Sequence, residues 1–205
     1  GFCLNMKPGV IIALLLGATA LTVANAQQTG LYPNFPYCAC SKASSAYSLS
    51  QTVKAKGAGQ YCFTLRAKVP TGCTSYCCSK ADFKKLEFNV NPTCDVFGAV
   101  VKATVNGVPT VVGPAFSAPK DGPTNSTMLR LTQLGLGLAS DGAEICITLA
   151  ANPKTGLGCT TLEQLCVPPA GMPAGVCSAA MFDSNTDCCP ISQVGVPSPP
   201  PPSPP

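Results

Sequence analysis

The stretch FTLRAKV, residues 63–69, alternates strictly between apolar and polar side chains. Because successive side chains of an extended chain point to opposite faces, this period of two predicts a half-buried β-strand. The same alternation recurs at residues 85–90 and 144–149, and at residues 134–138 leucines alternate with glycines. These stretches predict four short strands, each with one face towards a core.

Other signals between the strands agree with this interpretation. Asn106-Gly107 lies between two apolar stretches, and it predicts a hairpin because both central residues of a type I′ turn need positive φ. Only residues 160–166 suggest a helix of about one turn, with Thr160 or Thr161 as its N-cap. The predicted fold class is therefore all-β: a disulfide-rich antiparallel β-sandwich with at most one short helix, followed by a polyproline II tail. A closed barrel is the alternative.

The two ends of the chain differ from this pattern. Residues 1–26 contain Lys7, an apolar run and the small-residue sequence Ala24-Asn25-Ala26, which together predict a secretory signal peptide rather than a retained membrane anchor. If Met6 is the initiator, residues 1–5 are artefactual. At the other end, residues 195–205 include PSPPPPSPP, which predicts the start of a Ser/Pro-rich rod that continues further. The globular domain is expected to span residues 27–194.

Cysteine usage also indicates export. The chain has 14 cysteines and no histidine, and so many thiols form a framework only in an oxidising compartment. Zinc is disfavoured because the spacing of the cysteines matches no zinc finger or ribbon. Cys3 falls in the signal peptide, so an odd number remains, and the last thiol is expected to bond to the continuation of the chain or to another molecule. The candidates are Cys38, Cys40, Cys62, Cys73, Cys77, Cys78, Cys94, Cys146, Cys159, Cys166, Cys177, Cys188 and Cys189.

Part of the disulfide pairing is constrained by covalent geometry. Cys77-Cys78 and Cys188-Cys189 are not expected to bond within each pair, because the eight-membered ring would force the peptide out of its relaxed trans form. Each pair should instead join two other segments. Cys62 and Cys146 fall on the polar faces of their strands, so their bridges are expected to fix loops or neighbouring strands on the outside of the sheets.

The composition argues against catalysis. Without histidine the chain lacks the usual general base, the usual nucleophile pairs and the commonest metal ligand. Glu87 and Glu144 are expected to be solvated on polar strand faces, which disfavours a glycosidase pair. Residues 183–187, DSNTD, imitate half of a calcium loop, but an Asx-turn is favoured because the second half is missing. We predict no enzyme activity, no catalytic or metal-binding residue and no cofactor.

Two surface features remain as candidate sites. Asn125 begins the sequon Asn-Ser-Thr in a loop rich in Pro and Gly, so it is a predicted N-glycosylation site. Basic residues concentrate in the first half of the chain, and acidic or sulphated polysaccharide is the polyanion that an exported protein would meet; a merely solvated face is the alternative. Nucleic acid is disfavoured by export, and no membrane contact is expected after signal cleavage. The candidate polyanion-binding residues are Lys54, Lys56, Arg66, Lys68, Lys84 and Lys85.

The order of several short motifs resembles the pherophorins, extracellular matrix glycoproteins of volvocine green algae. The motifs are FPYCAC (35–40), CF (62–63), CC (77–78), KLEF (85–88), VNG (105–107), EICITL (144–149), TLEQLC (161–166) and CCP (188–190). This resemblance implies a structural glycoprotein of the matrix or cell wall, with two globular ends joined by a hydroxyproline-rich, glycosylated shaft. The implied partners are other extracellular matrix glycoproteins. The alternatives are a secreted signal similar to the volvocine sexual inducer and an acidic-polysaccharide-binding module.

Overall fold

The computed structural model describes residues 30–196. The predicted signal peptide and the polyproline stretch 197–205 lie outside the described residues. In chain order the strands are β1 (Tyr47–Leu49), β2 (Lys54–Ala55), β3 (Gln60–Ala67), β4 (Lys85–Val90), β5 (Val100–Val105), β6 (Val108–Pro109), β7 (Ala115–Ser117), β8 (Thr127–Leu131), β9 (Glu144–Ala150), β10 (Cys177–Phe182) and β11 (Ile191–Val194). Two α-helices, α1 (Tyr76–Ser79) and α2 (Leu162–Leu165), and two 3₁₀ turns, Pro92–Cys94 and Leu138–Ser140, complete the described elements.

The strands form two antiparallel sheets. The first sheet has the order β1-β3-β9-β5-β6, with β2 also paired to β3, and the second has the order β11-β10-β4-β8-β7. Alternate residues of both sheets meet in one core, where the rings of Phe63 and Phe88 lie 4.9 Å apart. The predicted β-sandwich is therefore confirmed, with two separate sheets instead of a closed barrel.

The strands predicted from alternation at 63–69, 85–90 and 144–149 are β3, β4 and β9. Leu65, Leu86 and Ile147 are fully buried in the core, whereas Val69 lies beyond the end of β3 and is exposed. Asn106 and Gly107 have φ of 50° and 82° and connect β5 to β6, as the hairpin prediction requires. Thr161 caps α2, and its hydroxyl accepts a hydrogen bond from the Gln164 backbone N–H.

Two local expectations differ from the structure. Residues 134–138 form no regular strand: Leu136 makes only an isolated bridge to Phe83, and Leu138 begins a 3₁₀ turn. The reason is that Gln133 and Gly135 have φ of 56° and 64°, which interrupts the extended backbone. At most one short helix was expected, yet α1 is a second helix of one turn. Neither described helix is long and apolar enough to cross a membrane.

Disulfide network, surface charges and a cavity on the second sheet

Twelve of the thirteen candidate cysteines form six disulfides. Each adjacent pair joins other segments, as expected: Cys77 and Cys78 bond to different partners, and so do Cys188 and Cys189. The thirteenth, Cys38, is buried, and its Sγ lies 3.8 Å from the Sγ of Cys40. The bridges are Cys40–Cys189, Cys62–Cys146, Cys73–Cys78, Cys77–Cys188, Cys94–Cys159 and Cys166–Cys177.

The Cys62–Cys146 bridge joins neighbouring strands on the outside of the first sheet. The two residues are directly opposite in the β3–β9 register, with their Cα atoms 4.0 Å apart, while their neighbours Phe63 and Ile145 face the core. The two sulfurs lie close to the carboxylate of Glu144, so their atoms resemble a metal-ligand group. Thiolates bind zinc, however, and these sulfurs are bonded to each other.

Two bridges fix the C-terminal part of the domain to earlier segments. Cys188 bonds to Cys77 in α1, and Cys189 bonds to Cys40 in the N-terminal segment. The backbone contacts follow the same path, because Ser41 N–H donates to the Asp187 carbonyl at 2.7 Å and Cys189 N–H donates to the Ser41 carbonyl at 2.7 Å. Residues far apart in the sequence are thereby joined covalently and by hydrogen bonds at one place.

The loop 183–187 is held by hydrogen bonds of the Asx-turn type. Asp183 is buried and accepts hydrogen bonds from Asn185 N–H at 3.3 Å, Cys188 N–H at 2.9 Å and the Tyr76 hydroxyl at 3.2 Å. Burial disfavours ionisation of the neighbouring Asp82, but hydrogen bonds from Ser184 outweigh burial, and the pKa of Asp82 is lowered. The carboxylates at this loop thus act as acceptors for the backbone and for side chains.

The candidate polyanion-binding residues do not share one environment. Lys54 and Lys56 pair with Glu144 at 3.6 and 2.5 Å, and the hydrogen bond from Lys56 is the main reason that the pKa of Glu144 is lowered. Arg66 Nε donates to Ser50 Oγ at 3.0 Å, also on the first sheet. Lys68 and Lys84 are exposed. Polyanion binding by these five residues stays a prediction.

Lys85 and Glu87 are buried, which differs from the expectation for each residue. Both were expected on a solvated strand face, but Lys85 is 8% exposed and Glu87 is 3% exposed. Lys85 Nζ lies 2.8 Å from Glu87 Oε1 and 3.9 Å from the centre of the Phe182 ring. The reason is that the N-terminal segment around Phe35 covers the outer face of the second sheet, where it packs against Phe182 and Ala180. Lys85 is therefore not part of a surface patch.

A cavity of about 300 Å³ lies beside this ion pair. Tyr37 of the N-terminal segment, Lys85 and Glu87 of β4, Ser117 of β7 and Arg130 of β8 all line it. Burial raises the pKa of the Tyr37 hydroxyl, which donates a hydrogen bond to Asn89 Oδ1 at 3.2 Å. Among the described residues, Arg130 Nε and Ser117 Oγ are buried without a hydrogen-bond partner.

Sequence reasoning missed this cavity. Arg130 and Ser117 stand alone in the sequence, with no motif around either residue. One signal was available: Tyr32, Phe35 and Tyr37 precede the first strand and are too apolar for a solvated tail. Such a segment must cover part of a sheet, and the polar residues beneath it are then buried.

Asn125 lies in an exposed turn. Ser126 N–H donates to the Pro123 carbonyl at 3.1 Å, and Asn125 itself has a φ of 65°, which asparagine tolerates better than most residues. Its side chain is accessible to solvent, so a glycan can be attached without displacing the core.

Comparisons with known proteins agree with the motif resemblance. The family model described as Pherophorin matches residues 35–190. Perphorin-1 of Volvox carteri is 64% identical over 195 residues, which cover 95% of this chain and 38% of that protein. Perphorin-2 of Volvox carteri is 50% identical over 175 residues, which cover 84% of this chain and 36% of that protein. No solved structure matches.

These matches identify the family of the chain and its localisation. The chain spans less than two fifths of the length of both Volvox proteins. Pherophorins are secreted extracellular matrix proteins, so the predicted localisation is confirmed. The match covers β1 to β10 and all six disulfides, from Cys40 to Cys189. On this evidence, the chain belongs to the pherophorin family.

Proposed function

We propose that this domain is a non-catalytic assembly module of the extracellular matrix or cell wall, carried on a Pro-rich spacer and in contact with other matrix glycoproteins. The observation that carries the proposal is the disulfide framework. Six bridges stabilise a single sandwich, and two of them join its C-terminal part to α1 and to the N-terminal segment. A durable domain of this kind is suited to a permanent structure better than to a reaction cycle.

The state of the carboxylates supports a role without catalysis. Glu87 and Glu144 are the two acids considered above as a glycosidase pair, and each forms an ion pair with lysine. Glu87 pairs with Lys85, and Glu144 pairs with Lys54 and Lys56. A general acid needs a raised pKa, whereas the pKa of Glu144 is lowered. Glu144 therefore lacks the environment of a catalytic acid, and the carboxylate of Glu87 is engaged in its ion pair with Lys85.

Fractionation of producing cells tests the assembly role. Medium, salt-extractable wall and insoluble wall are separated and probed with an antibody against this domain. We expect most of the protein in the two wall fractions. A signal that diffuses away from the cell would instead accumulate in the medium, and recovery mainly there would contradict the proposal. Release by salt alone would indicate that exposed charges such as Lys68 and Lys84 retain the protein.

We also propose that Asn125 carries an N-glycan. Asn125→Gln should remove one glycan from the secreted protein, and intact-mass measurement would record the loss. Asn91 is a matched control, because Pro92 in Asn91-Pro92-Thr93 blocks glycosylation. Asn91→Gln should leave the glycan mass unchanged. Equal masses for the native protein and Asn125→Gln, after correction for the residue, would show that the site is empty.

A further inference from the structure

The cavity beneath the N-terminal segment lies on the outer face of the second sheet, and charged and polar side chains form part of its wall. In the antiparallel register Glu87 stands opposite Arg130, and Ser117 stands opposite Met128. Cross-strand partners share a face, and so do residues two apart on one strand. Lys85, Glu87, Arg130 and Ser117 therefore all project from the same face, although they come from three strands.

Two of the four polar side chains on this face form an ion pair, and each of the other two has a buried polar atom without a hydrogen-bond partner among the described residues. Lys85 and Glu87 satisfy each other at 2.8 Å. Arg130 Nε and Ser117 Oγ, both buried at the cavity, have no partner among the described residues. A guanidinium N–H can only donate, so the group missing beside Arg130 is an acceptor. Burying such a donor without an acceptor costs free energy that a ligand oxygen would recover.

The charge of the cavity indicates the sign of the ligand. The charges of Lys85 and Glu87 cancel in their ion pair. The loop residues Lys120 and Asp121, which also line the cavity, carry one charge of each sign. Arg130 then leaves a single positive charge facing the space. An oxyanion would neutralise this charge and would supply the missing acceptor, because arginine binds carboxylate and sulphate oxygens with charge-assisted hydrogen bonds.

The size and walls of the cavity indicate what carries the oxyanion. A volume of about 300 Å³ is at the lower end of the range of small-ligand pockets. Tyr37 and Met128 supply apolar surface beside the polar groups. Behind the wall, the loop packs closely on Tyr37, because a Cβ added at Gly122 would lie 2.5 Å from Pro119 Cγ and 3.1 Å from Tyr37 Cγ. A single ring with hydroxyl groups suits these dimensions and this mixture of surfaces.

We propose that this cavity binds one acidic sugar residue, with Arg130 contacting its carboxylate or sulphate oxygens and Ser117 contacting a second oxygen. The site is separate from the exposed lysines of the first sheet and does not depend on the assembly role. The same oxyanion chemistry is offered by a uronic acid and by a sulphated sugar. The experiment distinguishes them.

Calorimetric titration of the mature secreted protein with glucuronate, glucose 6-sulphate and glucose tests the proposal. We expect saturable binding of at least one acidic sugar, and roughly tenfold or greater weakening for glucose. Binding of glucuronate alone identifies a uronic acid as the ligand, and binding of glucose 6-sulphate alone identifies a sulphate ester. If glucose bound as tightly as the acidic sugars, or if neither acidic sugar bound, the proposal would be wrong.

Two variants place the binding at this cavity. Arg130→Met should weaken binding roughly ten- to a hundredfold, and Ser117→Ala should weaken it several-fold. Lys102→Met is the control, since Lys102 is exposed on β5 of the first sheet and belongs to neither candidate binding site, and it should bind like the native protein. Arg130→Met should also unfold at or above the native melting temperature, because it removes an unpaired buried donor. Unchanged binding in Arg130→Met, or a lowered melting temperature with binding retained, would assign Arg130 a purely structural role.

Discussion

Glu87→Gln should lower the free energy of unfolding by about 3 to 5 kcal/mol. The substitution keeps the size of the side chain but leaves the Lys85 ammonium buried, at 8% exposure, without its counter-charge. The ring of Phe182 at 3.9 Å offsets only part of this cost. Urea denaturation of the purified protein measures the loss as a shift of the transition midpoint at unchanged slope.

Two further variants separate this ion pair from ordinary surface charge. In the double variant Lys85→Met with Glu87→Leu, most of the lost stability should return, because apolar residues of similar volume often replace a buried ion pair without loss. Glu144→Gln is the matched control, since Glu144 is partly exposed in its pairs with Lys54 and Lys56, and it should cost no more than about 1 kcal/mol. If Glu87→Gln were as mild as Glu144→Gln, the pair would not be buried in solution.

Removal of the Cys40–Cys189 disulfide should lower stability by about 4 kcal/mol. With Cys77–Cys188 intact, the loop that this bridge alone closes runs from Cys40 to Cys77, about 40 residues, and the entropy of the opened chain grows with that length. Both cysteines are changed to Ala so that no new bridge forms. Thermal unfolding should then show a fall of roughly 10 °C.

The Cys73–Cys78 disulfide is the internal control for that experiment. Its two cysteines are only 5 residues apart in sequence, so the loop it closes is short. Its removal should cost only about 2 kcal/mol. A larger loss from Cys73→Ala with Cys78→Ala than from the Cys40 and Cys189 pair would show that loop length does not govern the effect of these bridges.

The strands could be predicted because their local pattern already contains the information. In β3, β4 and β9 core-facing apolar residues such as Phe63, Leu86 and Ile147 alternate with polar or sulfur-bearing residues that face outwards, so the period alone identifies the strand. The β5–β6 hairpin was predicted for a similar reason, since Asn106-Gly107 requires only its own backbone conformation. Turns and alternating strands therefore need no knowledge of the rest of the fold.

The features that escaped prediction depend on contacts between distant segments. Lys85 and Glu87 have the pattern of a solvated face, and only the packing of residues around Phe35 over that face buries them. The pairing of Cys94 with Cys159 likewise follows from how the sheets bring two loops together, 65 residues apart in the chain. The Arg130 cavity combines residues of three strands and the N-terminal segment, so no single stretch of sequence indicates it.

The clustering of Cys188 and Cys189 has a mechanical consequence. A pull applied to the chain at Val196 first meets Gly195, which is hydrogen-bonded to Gln51 and Val53, and then β11, an edge strand that can peel from β10 by losing its hydrogen bonds one after another. Peeling stops at Cys189, because beyond it the tension passes through covalent bonds to Cys40 and Cys77. At this end of the described chain, residues 190–196 can lengthen before a disulfide carries the load, and the segment between Cys40 and Cys189 is bypassed by the bridge. The domain would then behave as an anchor point that transmits force between chains without unravelling.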